Sequence, residues 1–194
     1  MEYLIHIAIL ICIYGILGLS LNLIVGYTGL LSITQAAFYG IGAYVTAILL
    51  TSVGMNFFTS VFFAMIITAI LSLAIGYVLS KFKDDYYALG SFGFNIIIYS
   101  IFLNWQSLTR GPLGIPGISR PELFGFTFSS NLSFLILSIV FGIIVYGLCV
   151  YITRSSFGRV LKAIREDEQA IQIFGYNTIW YKLEIFVIGS FFAS

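Results

Sequence analysis

From Tyr3 to Ser80 the chain carries not one Asp, Glu, Lys or Arg. Charge-free runs recur over Tyr86–Thr109, Leu123–Thr153 and Ile185–Ser194. A soluble domain needs a polar exterior, and about 25% of its residues are charged. Here the charged fraction is 9%, against 60% hydrophobic residues and a mean hydropathy of +1.04. The chain reads as an integral membrane protein. A soluble enzyme, a nucleic-acid binder with a basic face and a disordered scaffold are all excluded. The net charge of +1 says nothing about partners, so the placement of the charges has to.

Crossing roughly 30 Å of hydrocarbon takes about 20 mainly apolar residues. Five segments meet or approach that length: Tyr3–Val25, Gln35–Val53, Phe57–Leu79, Ala88–Asn104 and Leu132–Ile152. A sixth is expected from Leu183 to Ser194, too short to span, so the chain reads as a C-terminally truncated piece of a longer membrane protein. Period-2 alternation is absent, which leaves helices as the spanning architecture. The expected fold is an all-α polytopic transmembrane bundle, one domain over residues 1–194. The start, Met-Glu-Tyr, lacks a basic segment and a small-residue cleavage site, so it does not read as a cleavable leader.

The connectors set the expected topology. Residues 26–34 carry two glycines and read as a broken or re-entrant stretch. Lys81–Asp85 is a compact charged turn, and Trp105–Asn131 holds all three prolines. Residues 154–184 hold five of the nine Lys and Arg residues, which places them on the cytoplasmic side. Parity then puts Trp105–Asn131 outside, Lys81–Asp85 inside, the Asn56 corner outside, residues 26–34 inside and the N-terminus outside. A re-entrant 26–34 would reverse only the last step. Trp105 and Trp180 sit where interfacial anchors belong.

Nothing in the chain assembles a catalytic or metal set. His6 is the only histidine, Cys12 and Cys149 lie apart inside apolar runs, and no phosphate-binding loop is present. Asn22, Gln35 and Asn95 are uncharged polar groups in or beside spans; they either bond between helices or, for Asn22 and Gln35, line a solute pathway. The segment Arg154–Gly175 differs from the spans. Val160, Ala163, Ile164, Ala170, Ile171 and Phe174 recur at helical spacing opposite Arg159, Lys162, Arg165, Glu166 and Gln169. Ser155 or Ser156 suits its start and Gly175 its stop. A face of mixed sign does not resemble a lipid-surface helix. It is either a solvated linker or a helix that docks its apolar stripe into another protein's groove.

Three blocks carry a resemblance. They are Gly18-Leu-Ser-Leu-Asn22-Leu-Ile-Val-Gly26-Tyr-Thr-Gly29-Leu-Leu-Ser32 with Gln35-Ala-Ala-Phe38-Tyr-Gly40-Ile-Gly42, then Thr109-Arg-Gly111-Pro-Leu-Gly114-Ile-Pro-Gly117, then Gly158-Arg-Val-Leu-Lys-Ala-Ile-Arg165-Glu-Asp-Glu-Gln-Ala170 with Gly175. In this order they resemble the permease subunits of branched-chain amino acid ABC transporters. Gln35 stands where many members carry histidine, and Arg110 where glycine is more usual. The resemblance implies a subunit without chemistry or cofactor of its own, with ATP used by separate ABC ATPase subunits. It also implies a second related permease, a periplasmic or extracellular substrate-binding protein, membrane lipid around the spans and no nucleic acid. Gly158, Ile164, Arg165, Glu166, Asp167, Glu168, Ala170 and Gly175 are then the expected ATPase-coupling residues. Asn22, Gln35, Gly111 and Gly114 are the expected pathway residues. The implied location is the inner or plasma membrane, with 154–184 cytoplasmic. Some members carry urea or short amides instead. An ion-coupled transporter or channel is the rival in another class, and it would ordinarily place an ionisable group in the membrane.

Overall fold

The computed structural model describes residues 2–82, 84–123, 126–127 and 130–194. Lys83, part of the expected charged turn, lies outside the described residues. The elements in chain order are α1 (Glu2–Thr28), α2 (Gln35–Ile48, continued by a π-turn Leu49–Val53), α3 (Phe57–Leu79) and α4 (Asp84–Asn104). The short α5 (Gln106–Thr109) and a 3₁₀ turn at Gly111–Leu113 follow. Then come the two-residue strands β1 (Glu122–Leu123) and β2 (Phe126–Thr127), which pair antiparallel with Glu122 opposite Thr127. The chain closes with α6 (Asn131–Arg154), α7 (Ser156–Glu166), α8 (Glu168–Ile173) and α9 (Thr178–Ala193).

Among the described residues five helices are long and apolar enough to cross a membrane, and they fall on the five expected segments. Their ends differ by a few residues: α4 starts at Asp84 rather than Ala88, and α1 runs on to Thr28. The larger difference is α9, which begins at Thr178 instead of Leu183 and takes in Trp180, Lys182 and Glu184. The charges at 182 and 184 made this stretch read as connector. Lys182 is neutralised at 2.6 Å by Glu168, so a helix can hold it.

Helices in lipid gain little from burying apolar surface against each other; close approach and polar contacts hold them together. The structure uses α3 for this. Its buried residues Ser60, Ala64, Thr68, Ser72 and Gly76 recur every fourth position and make a smooth face against α9 and α2. A Cβ on Gly76 would meet Leu183 and Phe186 of α9 at 2.8 Å. The large apolar residues between these positions mask the four-residue period in the sequence.

The interior forms two apolar clusters. Ile24, Phe38, Leu79 and Phe186 are in one; Leu23, Val145, Leu161 and Ile185 are in the other. Adjacent residues of α1 (Leu23, Ile24) and of α9 (Ile185, Phe186) split between the two. These two helices are therefore the central pair. Phe38 and Phe186 meet edge to face at 5.5 Å, an arrangement worth about 1 kcal/mol beyond their burial.

Candidate functional site

The segment after α6 is built as a bracket on the central pair. Ser155 closes α6 by donating to the Ile152 carbonyl at 2.6 Å and caps α7 by accepting from the Gly158 N–H at 3.3 Å. Gly158 sits in the corner against the Thr153 carbonyl, where no Cβ fits. From there α7 lays its apolar side onto the bundle. Leu161 is 1% exposed and Ile164 3% exposed, and Phe157 stacks on Tyr181 of α9 at 5.6 Å. This corrects the expectation that the Ile164 stripe is free for a partner's groove. An amphipathic pattern requires that one face be covered; here the chain's own helices cover it.

The expected continuous helix to Gly175 is also two helices. Asp167 adopts an extended backbone (φ −154°, ψ 98°) and its Oδ1 accepts from the Ala170 N–H at 2.9 Å, ending α7 and capping α8. A short carboxylate in this position satisfies a free helix N–H and sits well at the positive end of α8. Gly175 stops α8 as expected, at φ 86°, with the Tyr176 N–H donating to the Ile171 carbonyl and the Gly175 N–H to that of Gln172.

Two charged groups expected to face a partner are engaged within the chain. Glu168 Oε2 accepts from Lys182 Nζ at 2.6 Å and its Oε1 accepts from the Thr178 hydroxyl at 2.8 Å. Thr178 in turn accepts from Gln172 Nε2 at 2.9 Å, so α8 is tied to the start of α9. Arg165 reaches across to α1, where Nη1 donates to the Gly26 carbonyl at 2.6 Å. One turn earlier, Lys162 Nζ lies 5.3 Å from the Tyr27 ring centre. The outward groups include Glu166, Asp167 and Gln169 together with two large apolar side chains, Ile173 (86% exposed) and Phe174 (78% exposed). Ile173 was not among the expected site residues.

These contacts also group the connectors. The Ile33 N–H donates to Ser91 of α4 at 3.1 Å, and Arg165 holds Gly26, so residues 26–34, the start of α4 and the α7–α9 region share one end of the bundle. The connector between α1 and α2 is unwound. At the start of α2, Gln35 Nε2 donates to the Ser20 carbonyl at 3.4 Å, about two helical turns back from the end of α1.

The expected pathway residues do not come together. Asn22 faces outward on α1, folded over Gly26. Gln35 is 4% exposed, sits between α1 and α9, and has an Oε1 without a hydrogen-bond partner. Gly111 and Gly114 lie beyond α4 in the Trp105–Asn131 connector, Gly111 buried beneath the Leu103 carbonyl. The adjacent Arg110 is the one non-glycine at positive φ (59°) among the described residues, a conformation that glycine adopts at lower cost. A groove of about 320 Å³ between α2 and α4 is lined by Ala36, Gly40, Asn95, Tyr99 and Phe102, and it contains none of the four. Among the described residues no cluster of His, Cys, Asp and Glu could hold a metal ion.

The chain is similar to known transport proteins along its length. The family model described as branched-chain amino acid transport system / permease component matches residues 3–194. The high-affinity branched-chain amino acid transport system permease protein LivM of Salmonella typhimurium is 32% identical over 97% of this chain and 50% of that protein. The Escherichia coli protein of the same name is 33% identical over the same shares. The probable branched-chain amino acid transport permease protein LivM of Methanocaldococcus jannaschii is 25% identical over 92% of this chain and 61% of its own length. The chain thus spans half the length of the first two relatives. No solved structure matches it significantly.

Proposed function

The chain belongs to the branched-chain amino acid transport permease family, and on that membership we propose that it acts as the transmembrane permease subunit of an ABC importer. It is a multi-pass membrane protein whose relatives are transport permeases rather than enzymes. In this reading its solute is a branched-chain amino acid, and it resides in the inner or plasma membrane. Separate ATPase subunits consume the ATP, a second related permease completes the pathway, and an external binding protein delivers the solute.

One observation carries the coupling role: a bracket that is firmly seated on the central helices yet presents an apolar, acid-rimmed tip. Leu161 and Ile164 seat α7, Glu168 seats α8, and the outward groups are Ile173, Phe174, Glu166 and Asp167. Two adjacent exposed apolar side chains at the end of a short helix suit insertion into a partner's groove, with the carboxylates at the rim. Closure of an ATPase pair would then push α8, and the seat of α7 would pass the displacement to α1 and α9. In this account 154–184 is cytoplasmic, a placement supported by its five basic residues. Selectivity falls mainly to the binding protein, because the polar groups along the spans (Asn22, Gln35, Asn95) carry no charge to pair with a zwitterion.

The test is purification of the full-length protein from its native membrane, followed by measurement of ATP hydrolysis. A co-purifying ATPase whose activity rises when the solute-loaded binding protein is added supports the proposal. A full-length permease that carries no ATPase and drives uptake alone overturns it.

A further inference from the structure

Arg165 is an exposed side chain committed to a main-chain group of another helix. The end of α1 needs such a donor, because the last carbonyls of a helix have no partner within it and gather partial negative charge. The Gly29 N–H takes the Val25 carbonyl at 3.1 Å, and Arg165 Nη1 takes the next one, Gly26, at 2.6 Å. The length marks a charge-assisted bond. The guanidinium stem lies flat on the turn that follows: a Cβ at Gly29, whose φ is 72°, would meet Arg165 Cγ at 3.2 Å. On the same face of α7, Lys162 stands over the Tyr27 ring. Two cations of α7 thus grip the final turn of α1 by its backbone and its aromatic side chain.

What lies beyond that turn makes the grip consequential. Residues 29–34 are the unwound connector, which is pinned at its far side by polar bonds and not by helix. Ile33 is held by Ser91 of α4, Ser32 and Thr34 share a hydrogen bond at 2.9 Å, and Gln35 reaches Ser20 of α1. A displacement of α7 is therefore delivered to the unwound stretch between α1 and α2, whose far end reaches back to the depth of Ser20.

We infer that Arg165 is a positioning residue that links the α7–α8 bracket to the unwound α1–α2 connector, acting inside the chain rather than as a contact to the ATPase. The inference rests on the reading that α8 meets an ATPase. Under it, loss of Arg165 leaves the ATPase bound and hydrolysing but disconnects hydrolysis from movement of the pathway.

The experiment uses the full-length protein reconstituted with its ATPase subunits, second permease and binding protein in proteoliposomes. Three quantities are read per permease: ATPase recovered, ATP hydrolysed and radiolabelled leucine taken up. For Arg165→Ala, recovery and hydrolysis should match the parent while leucine uptake per ATP falls about tenfold, the low end of what losing a charge-assisted bond or a site-to-site coupling produces. A purely stabilising role would lower permease abundance but leave all three per-permease quantities, and so the ratio, unchanged, which overturns the inference. Loss of ATPase recovery in step with uptake also overturns it, by making Arg165 a partner contact. If the alanine variant does not accumulate, Arg165→Met, which keeps an apolar stem over Gly29 but has no donor, is judged by the same ratio. A parent complex that retains no ATPase would refute the underlying reading instead, and this is visible before any variant is compared.

Discussion

Ile164 and Phe174 lie ten positions apart on the same bracket, and substituting each by Asp should give opposite phenotypes. Ile164 is 3% exposed, against the chain's own helices. Ile164→Asp forfeits roughly 1.5–3 kcal/mol of apolar burial. It also places a carboxyl group there that costs at least about 2 kcal/mol more, even if it protonates to avoid burying charge. The total of about 4 kcal/mol or more is a large part of the roughly 5–15 kcal/mol by which native proteins are stable. Phe174 is 78% exposed, so Phe174→Asp should change the stability of the chain by no more than about 0.5 kcal/mol. At a partner surface, however, losing an aromatic anchor costs about 2 kcal/mol, or roughly 30-fold in affinity. The assay is membrane abundance and thermal stability of the detergent-solubilised full-length protein, with ATPase recovery normalised to permease. Ile164→Asp should accumulate poorly and melt early. Phe174→Asp should accumulate normally and lose the ATPase. An Ile164→Asp protein of parental abundance and melting temperature that had lost the ATPase would show that the stripe faces the partner, and the bracket description would fail.

Three further substitutions probe local physics by thermal melting of the purified protein. Thr68 is fully buried on α3 with a hydroxyl that lacks a partner, so Thr68→Val should stabilise by about 1 kcal/mol, whereas a lower melting temperature would indicate an occupied polar site there. Gly76→Val drives two methyl groups into Leu183 and Phe186 and should destabilise by about 1–3 kcal/mol; an unchanged melt would mean that α3 and α9 are not seated as described. Arg110→Gly relieves a left-handed backbone at φ 59° and should stabilise by about 1 kcal/mol, with no gain if Arg110 makes a compensating contact.

The spans were legible because charge-free runs of membrane length admit one architecture. Their ends were not, because a helix does not stop where the hydrocarbon does. Asp84 and Asp85 open α4, and Lys182 and Glu184 sit in α9, so a reader following charge starts both helices late. The α3 seam was written in the residues Ser60, Ala64, Thr68, Ser72 and Gly76, but a four-residue period of small side chains is hard to see beneath the large apolar residues between them. At the bracket, spacing showed that Ile164 must be covered and could not show by what. The break at Asp167 was hidden inside a run of four charged residues that looked like a solvated helix face. Asn22 and Gln35 carry equivalent polar groups in sequence, yet one faces out and the other in, because helix phase across the unwound connector is decided by contacts such as Gln35 with Ser20.

The source of energy for uptake separates the proposed importer from its rival, an ion-coupled transporter. Full-length protein, ATPase subunits, second permease and binding protein are reconstituted into proteoliposomes, and radiolabelled leucine uptake is followed with ATP, with ADP, or with an imposed proton or sodium gradient. The account predicts uptake only where ATP is hydrolysed on the face bearing residues 154–184, undiminished by ionophores that collapse ion gradients. Uptake by the permease chain alone, driven by an ion gradient in the absence of ATP, would contradict it.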